Sequence, residues 1–248
     1  MKVLIVFAHP ELRSLNGSLK TAAVQYLQEA GHEVAVSDLY RQQWKSAADG
    51  YDFQHFDPAA RLYYNHASKK AFLEGAQTID ISTEQEKVRW ADVVIFQFPL
   101  WWFGMPAILK GWVDRVFTNG FGYGTGQRYG HGALEGKRAM LIITAGAAPE
   151  QFLETGINGS INDLLFPIHH GIFWYTGMSA LPPFVVYNAN HIAETEVDAL
   201  LPSLKDRLLS LDSTAPIPFR YFSKDYDEAG VLKDHFQGDK KGFALHLH

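Results

Sequence analysis

Residues 93–117 read VVIFQFPLWWFGMPAILKGWVDRVF. An apolar run from Val93 to Phe98 ends at Pro99. Trp101, Trp102, Phe103 and Gly104 come almost at once, and a second apolar segment then begins with a different rhythm. The first run lacks in/out alternation, as a strand buried on both faces of a parallel sheet does. In the second, Ile108, Leu109, Trp112, Val113 and Val116 form one helical stripe, with Pro106 in its first turn. The stretch therefore reads as strand, aromatic loop, helix, which is one unit of an α/β fold.

The same reading extends outward. Val3–Ala8 and Met140–Thr144 are further non-alternating runs, and Val34 and Val36 suit a strand nearer the edge. A fifth strand is predicted over Leu181–Tyr187, entered through Pro182 and Pro183. After Asn16, the residues Leu19, Ala22, Ala23, Tyr26 and Leu27 recur at helical spacing, and Gly31 stops the helix. Ile161, Leu164, Leu165 and Ile168 form another stripe, with a bend expected at Pro167. Val197, Leu200, Leu201, Leu204 and Leu208 form the last. The order predicts a doubly wound, five-stranded parallel sheet with helices on both faces and right-handed crossovers.

Two regions depart from the repeat. Residues 41–80 are polar and aromatic and read as an insertion in a domain spanning 1–211. Residues 212–248 are charged and poor in aliphatics, follow no core pattern, and are expected to lie along another surface. Tyr226, Asp227 and Glu228 within them are expected to be solvated.

The totals narrow the function classes. Hydrophobic residues make up 47% of 248, enough for a sizeable core. A net charge of −5 and the lack of a Lys/Arg block argue against nucleic acid as a partner. No run approaches the length of a membrane span. With no cysteine there is no disulfide framework or thiolate metal site, and a reducing, cytoplasmic setting is expected. The eleven histidines show no H-E-x-x-H or equivalent spacing, so no metal site is expected. Ser160 lacks a G-x-S-x-G context.

In an open parallel sheet, ligands bind beyond the carboxyl ends of the strands where strand order reverses. Three strand ends are candidates. AHPELRSLN, residues 8–16, leads into a helix whose free N–H groups suit a phosphate, although ordinary capping by Ser14 and Asn16 accounts for the same residues. FPLWWFG, residues 98–104, places three consecutive aromatics at a strand exit, which favours a stacked planar cofactor over packing beneath a loop. TAGAAPEQF, residues 144–152, is a small loop able to present N–H donors to a ring edge, or an ordinary turn.

These segments also carry a family resemblance. FQFPLWWFGMPAILKGWVDRVF, VFAHPELRSLNGSL and TAGAAPEQFLETGINGSINDLLFPIHHG resemble the flavodoxin-like NAD(P)H:quinone oxidoreductases of the DT-diaphorase group. The resemblance implies FAD rather than FMN, a homodimer, and ping-pong two-electron reduction by NAD(P)H of quinones, with azo and nitroaromatic compounds as further flat acceptors. His9, Ser14, Leu15 and Asn16 match its phosphate and ribose positions. Pro99, Leu100, Trp101, Trp102 and Phe103 match its ring-holding loop, and Thr144, Ala145 and Gly146 its ring-edge loop. Phe103 and, from the other subunit, Tyr123, Thr125 and Tyr175 match substrate-lining positions. Trp102, Phe152 and Asn158 fall beside the reacting ring. Phe152 and Asn158 stand where the animal members carry Tyr and His, and Thr125 replaces a second pocket tyrosine. The C-terminal extension is expected at the dimer interface. RYGHGALEGKRAML also resembles the ancillary reductases of potassium-efflux systems, so a regulatory reductase subunit is one alternative. A flavodoxin-type electron carrier is another, against which the paired tryptophans, the insertion and the tail all speak.

Overall fold

The computed structural model of the chain describes residues 1–236 and 238–248, with Glu194 by its backbone only. Strands β1 (Lys2–Phe7), β2 (Glu33–Asp38), β3 (Val93–Pro99) and β4 (Arg138–Thr144) lie parallel in the order β2-β1-β3-β4. The expected fifth strand is split. Ser179–Ala180 (β5) and Phe184–Val186 (β6) both pair with β4, and Pro182 and Pro183 interrupt the ladder between them. The sheet thus has five strand positions built from six strands.

The central strands are buried except at their first residues Lys2 and Arg138, and period-two alternation divides their side chains between two cores. Leu4, Val6, Phe96, Phe98, Leu141 and Ile143 face α3 (Ile79–Trp90), α4 (Ala107–Val116) and α5 (Ile161–Ile168). Val3, Ile5, Phe7, Ile95, Met140 and Ile142 face α1 (Leu15–Glu29) and α6 (Glu194–Leu209). Two faces covered by helices explain why these strands read as unbroken apolar runs. Pro167 lies inside α5, and a π-helical turn, His169–Trp174, carries the chain on.

The insertion is folded onto the domain. It contains α2 (Tyr64–Glu74) and a buried charge cluster. Arg115 of α4, 1% exposed, bonds Asp52 at 2.9 Å and Asp80 at 2.7 Å, and its guanidinium lies over the Trp44 ring. Gly111 lets the insertion approach α4, since a Cβ there would meet the Ser46 carbonyl oxygen at 1.9 Å.

The C-terminal segment packs on its own chain. Ile217 N donates to Ala180 O, Trp174 Nε1 to Arg220 O, and Phe219 joins the α5-side core. The expectation of a solvated Tyr226 is corrected. Its hydroxyl lies 2.7 Å from His246 Nδ1, and burial pushes the phenol up to about 12. A ring stacked beside an imidazole with its polar end bonded excludes water that sequence polarity alone would invite.

Candidate functional site

Strand order reverses between β1 and β3, and the three candidate loops meet there. The first loop turns back on itself. Ser14 Oγ accepts from Gly17 N and lies 2.9 Å from His9 Nδ1, while Glu11 N donates to that same nitrogen. Gly17 is required, because a Cβ would strike the Leu12 carbonyl oxygen at 1.8 Å. Ser14 is therefore the cap of α1, as its residue type suggested. Asn16 is not. It sits in the first turn, 3% exposed, and its Nδ2 donates to Thr144 Oγ1 at 2.7 Å. Among the described residues the N–H groups of Leu15 and Asn16 have no partner. They form the open, positive end of α1.

A buried glutamine locks the loops together. Gln97, on β3, donates to the Asn16 carbonyl at 2.7 Å, and its backbone oxygen accepts from Ala8 N. Leu100 N donates to Thr144 O, so the second and third loops are joined as well. Two acceptors in this bridge, Asn16 Oδ1 and Gln97 Oε1, are buried without partners.

The aromatic loop stands out of the core. Trp101 is 43% exposed, Trp102 97% and Phe103 52%. Trp101 and Gly104 pair through both backbone hydrogen bonds, making a tight turn with Trp102 and Phe103 at its tip. Trp101 reaches back to the first loop, its ring 6.2 Å from His9. Pro99 is buried at the end of β3, opposite Thr144, and Leu100 is half-buried.

In the third loop Ala145 is buried and tied to Val186 O. Gly146 is exposed, and among the described residues the N–H groups of Gly146, Ala147 and Ala148 have no partner. Phe152 is buried against Tyr187, ring centroids 5.5 Å apart. Asn158 is half-buried; its backbone N–H bonds Gln151 O. It does not cap α5, because Ser160 Oγ accepts from Asn162 N.

The predicted substrate residues Tyr123 and Tyr175 pack on each other at 5.6 Å, with exposed Thr125 on the same hairpin. Sequence reading missed Tyr129, which packs edge-on against Tyr175 at 5.0 Å and stacks on His170. Its aromatic neighbours come from distant segments, so no local pattern marks it. Among the described residues no ring contact joins this tyrosine wall to Trp101, Trp102 or Phe103.

A parallel 2-1-3-4-5 sheet with three loops converging at its switch point is the arrangement of flavin-binding flavodoxin-like proteins. The flavodoxin-like family model matches residues 1–209. A ribosyldihydronicotinamide dehydrogenase-like protein of Penicillium crustosum is 49% identical over 99% of this chain and 95% of its own. NAD(P)H dehydrogenase [quinone] 1 of Cavia porcellus is 38% identical over 97% and 89%. The chain belongs to the flavodoxin-like quinone oxidoreductase family.

A crystal structure of a candidate quinone reductase from Klebsiella pneumoniae matches this family member over 100% of both chains, at 47% identity and a TM-score of 0.95. The agreement includes the insertion and also the C-terminal segment, which lies beyond the flavodoxin-like match. The chain's own residues also fit a flavin. The open end of α1 suits a phosphate, the orphaned acceptors of Asn16 and Gln97 suit hydroxyl donors, and the free N–H groups of the third loop suit a ring edge bearing acceptors.

Proposed function

We propose that this chain is an FAD-dependent NAD(P)H:quinone reductase working as a homodimer. The observation that carries the reading is the meeting of three loops at the switch point, with exposed aromatics beside unpartnered N–H donors. His9, Ser14, Leu15 and Asn16 would hold the phosphates and ribose chain. Pro99 to Phe103 would border the ring, and Thr144, Ala145 and Gly146 its edge. The flavin would supply hydride acceptance and donation, which no side chain here can do. The chain supplies the rest: Trp102 and Phe103 exclude water from one face, and the third loop offers donors where negative charge grows.

The tyrosine wall supports a shared pocket. Phe103 lies on one side of a single chain's site, while Tyr123, Thr125 and Tyr175 lie on a wall without ring contact to it. A second copy brings the two together. Planar, electron-poor quinones fit between flat aromatic surfaces, and azo or nitroaromatic compounds share that shape. Relatives are named for two hydride donors, NAD(P)H and ribosyldihydronicotinamide.

Steady-state oxidation of NADH, NADPH and ribosyldihydronicotinamide, with and without a quinone, tests the reaction, and parallel lines in double-reciprocal plots test the ping-pong order. Release and identification of the bound flavin tests FAD against FMN. A sedimenting monomer with full quinone reductase activity would remove the shared pocket.

A further inference from the structure

Between α5, the β5–β6 connection and the C-terminal segment lies a cavity of about 810 Å³, within the size range of small-molecule sites. Its lining is mainly apolar, with the rings of Phe166, Phe219 and Phe243 and the prolines Pro182 and Pro218 among it. Phe166 stacks on Phe243 at 4.2 Å and 11°, while Phe219 stands edge-on to Phe166. His169 lines the same cavity, is 2% exposed, and has a buried Nε2 with no hydrogen-bond partner. Buried polar groups are normally paired, and an unpaired one costs free energy that a bound molecule recovers.

We propose that this cavity binds one neutral, flat phenolic molecule, packed between the prolines and Phe243, with its hydroxyl hydrogen-bonded to His169. Shape selects a flat ring. Charge excludes an anion, since the lining carries two carboxylates, Asp163 and Glu154, against one lysine, Lys241, and the apolar rings and prolines favour a neutral molecule over a cation. The hydroxyl follows from the imidazole. Burial pulls His169 down to about 4, so it is neutral near pH 7, with one nitrogen donating and one accepting. A hydroxyl both donates and accepts and so satisfies either tautomer. A half-turn of the ring exchanges its carbon and nitrogen edges, so either edge can present a nitrogen to the cavity.

The site does not depend on the proposed redox reaction. No residue of the three switch-point loops lines it; Glu154 and Ser160, which do, follow the third loop in the chain.

The test is ligand-observed NMR titration of the flavin-loaded protein with 2-naphthol, and with naphthalene as the hydroxyl-free control. One saturable site per chain is expected, with 2-naphthol bound more tightly. His169→Phe should weaken 2-naphthol about five- to tenfold, the worth of one neutral hydrogen bond, and leave naphthalene unchanged. Phe243→Ala, at a half-exposed position that spares the fold, should weaken both. The proposal is overturned by the absence of saturable binding, by binding that Phe243→Ala leaves intact, or by displacement of 2-naphthol by a quinone that binds at the switch point.

Discussion

Trp102 and Phe103 are consecutive left-handed residues, with φ of 49° and 59°. They occupy the two central positions of the turn closed by Trp101 and Gly104. Two successive positive φ values are what Asn-Gly supplies in a tight hairpin, and bulky aromatics resist them. The strain persists only because the flanking residues fix the turn, and it falls at the site where a planar ligand is expected.

The double change Trp102→Asn with Phe103→Gly should therefore stabilise the flavin-free protein. Relief of left-handed strain at two positions is worth about 1–2 kcal/mol. Turnover should fall at the same time, because the aromatic faces are gone. Denaturant midpoints of the apoprotein and turnover of the loaded protein measure the two effects. A double variant that unfolds at lower denaturant would show that these rings hold the fold.

Trp102→Ala separates ring from backbone. A core tryptophan would cost about 3–5 kcal/mol on truncation. At 97% exposure this one should change apoprotein stability by less than about 0.5 kcal/mol. Flavin retention or turnover should drop clearly. A large loss of apoprotein stability with normal activity of the remaining holoenzyme would reverse the assignment.

How much of this was legible in the sequence depends on range. Val3–Ala8, Val93–Phe98 and Met140–Thr144 announced the buried strands because both sheet faces are covered, and the loops after them had to lie at the ligand end. Ser14 announced its own cap. Asn16 did not announce its bond to Thr144, 128 residues away. Arg115 reads as the polar side of an amphipathic helix, yet its partners come from an insertion that local periodicity treats as loop. Pro182 and Pro183 suit the entry to a strand as well as the break between two, so their sequence does not mark the split of the fifth strand. The left-handed turn was illegible, because Trp and Phe carry no signal for it.

The histidines beneath the C-terminal segment make stability depend on pH. Burial holds His169 and His170 down to about 4, with His246 adding to the effect on His170. Tyr129, Phe166, Phe219 and His246 surround His170, and Arg220 acts on His246. Between about 6.5 and 4 the unfolded chain takes up protons at these positions and the folded chain does not. Stability should fall as pH drops through that window and level off below it, by on the order of 3 kcal/mol per histidine. His170→Phe should flatten the slope in denaturant titrations across pH 4–7. An unchanged slope would remove His170 from the account.

Arg115 latches the insertion to the domain. Its guanidinium meets Asp52, 0% exposed, and Asp80. Lys45 and Tyr64 also reach Asp52, but neither is buried as Arg115 is. Removing one partner of a buried pair leaves the other charge uncompensated, at about 3–5 kcal/mol. Arg115→Ala should lose that much in equilibrium denaturation, and amide exchange should speed up first across residues 44–80. A loss below about 1 kcal/mol would mean that Lys45 and Tyr64 suffice for Asp52.

Asn158 bears on how charge is handled in the proposed reaction. Hydride delivery leaves negative charge near the pyrimidine edge of a flavin, and some donor must stabilise it. Phe152 has no donor and packs against Tyr187. The free N–H groups of Gly146, Ala147 and Ala148 are the main candidates, with the Asn158 amide as a supplement. Ser160 supplies the cap of α5, so Asn158 is not needed for it. Asn158→Ala should therefore change apoprotein stability by less than about 0.5 kcal/mol. It should remove about 1–1.5 kcal/mol of stabilisation from the charged state, a typical neutral hydrogen bond. That is roughly tenfold slower flavin reduction in stopped flow. An amide does not titrate near neutrality, so the wild-type reductive step should show no inflection near 6.5 from this position. Unchanged reduction with lowered stability would make Asn158 a structural residue and leave the backbone donors to act alone.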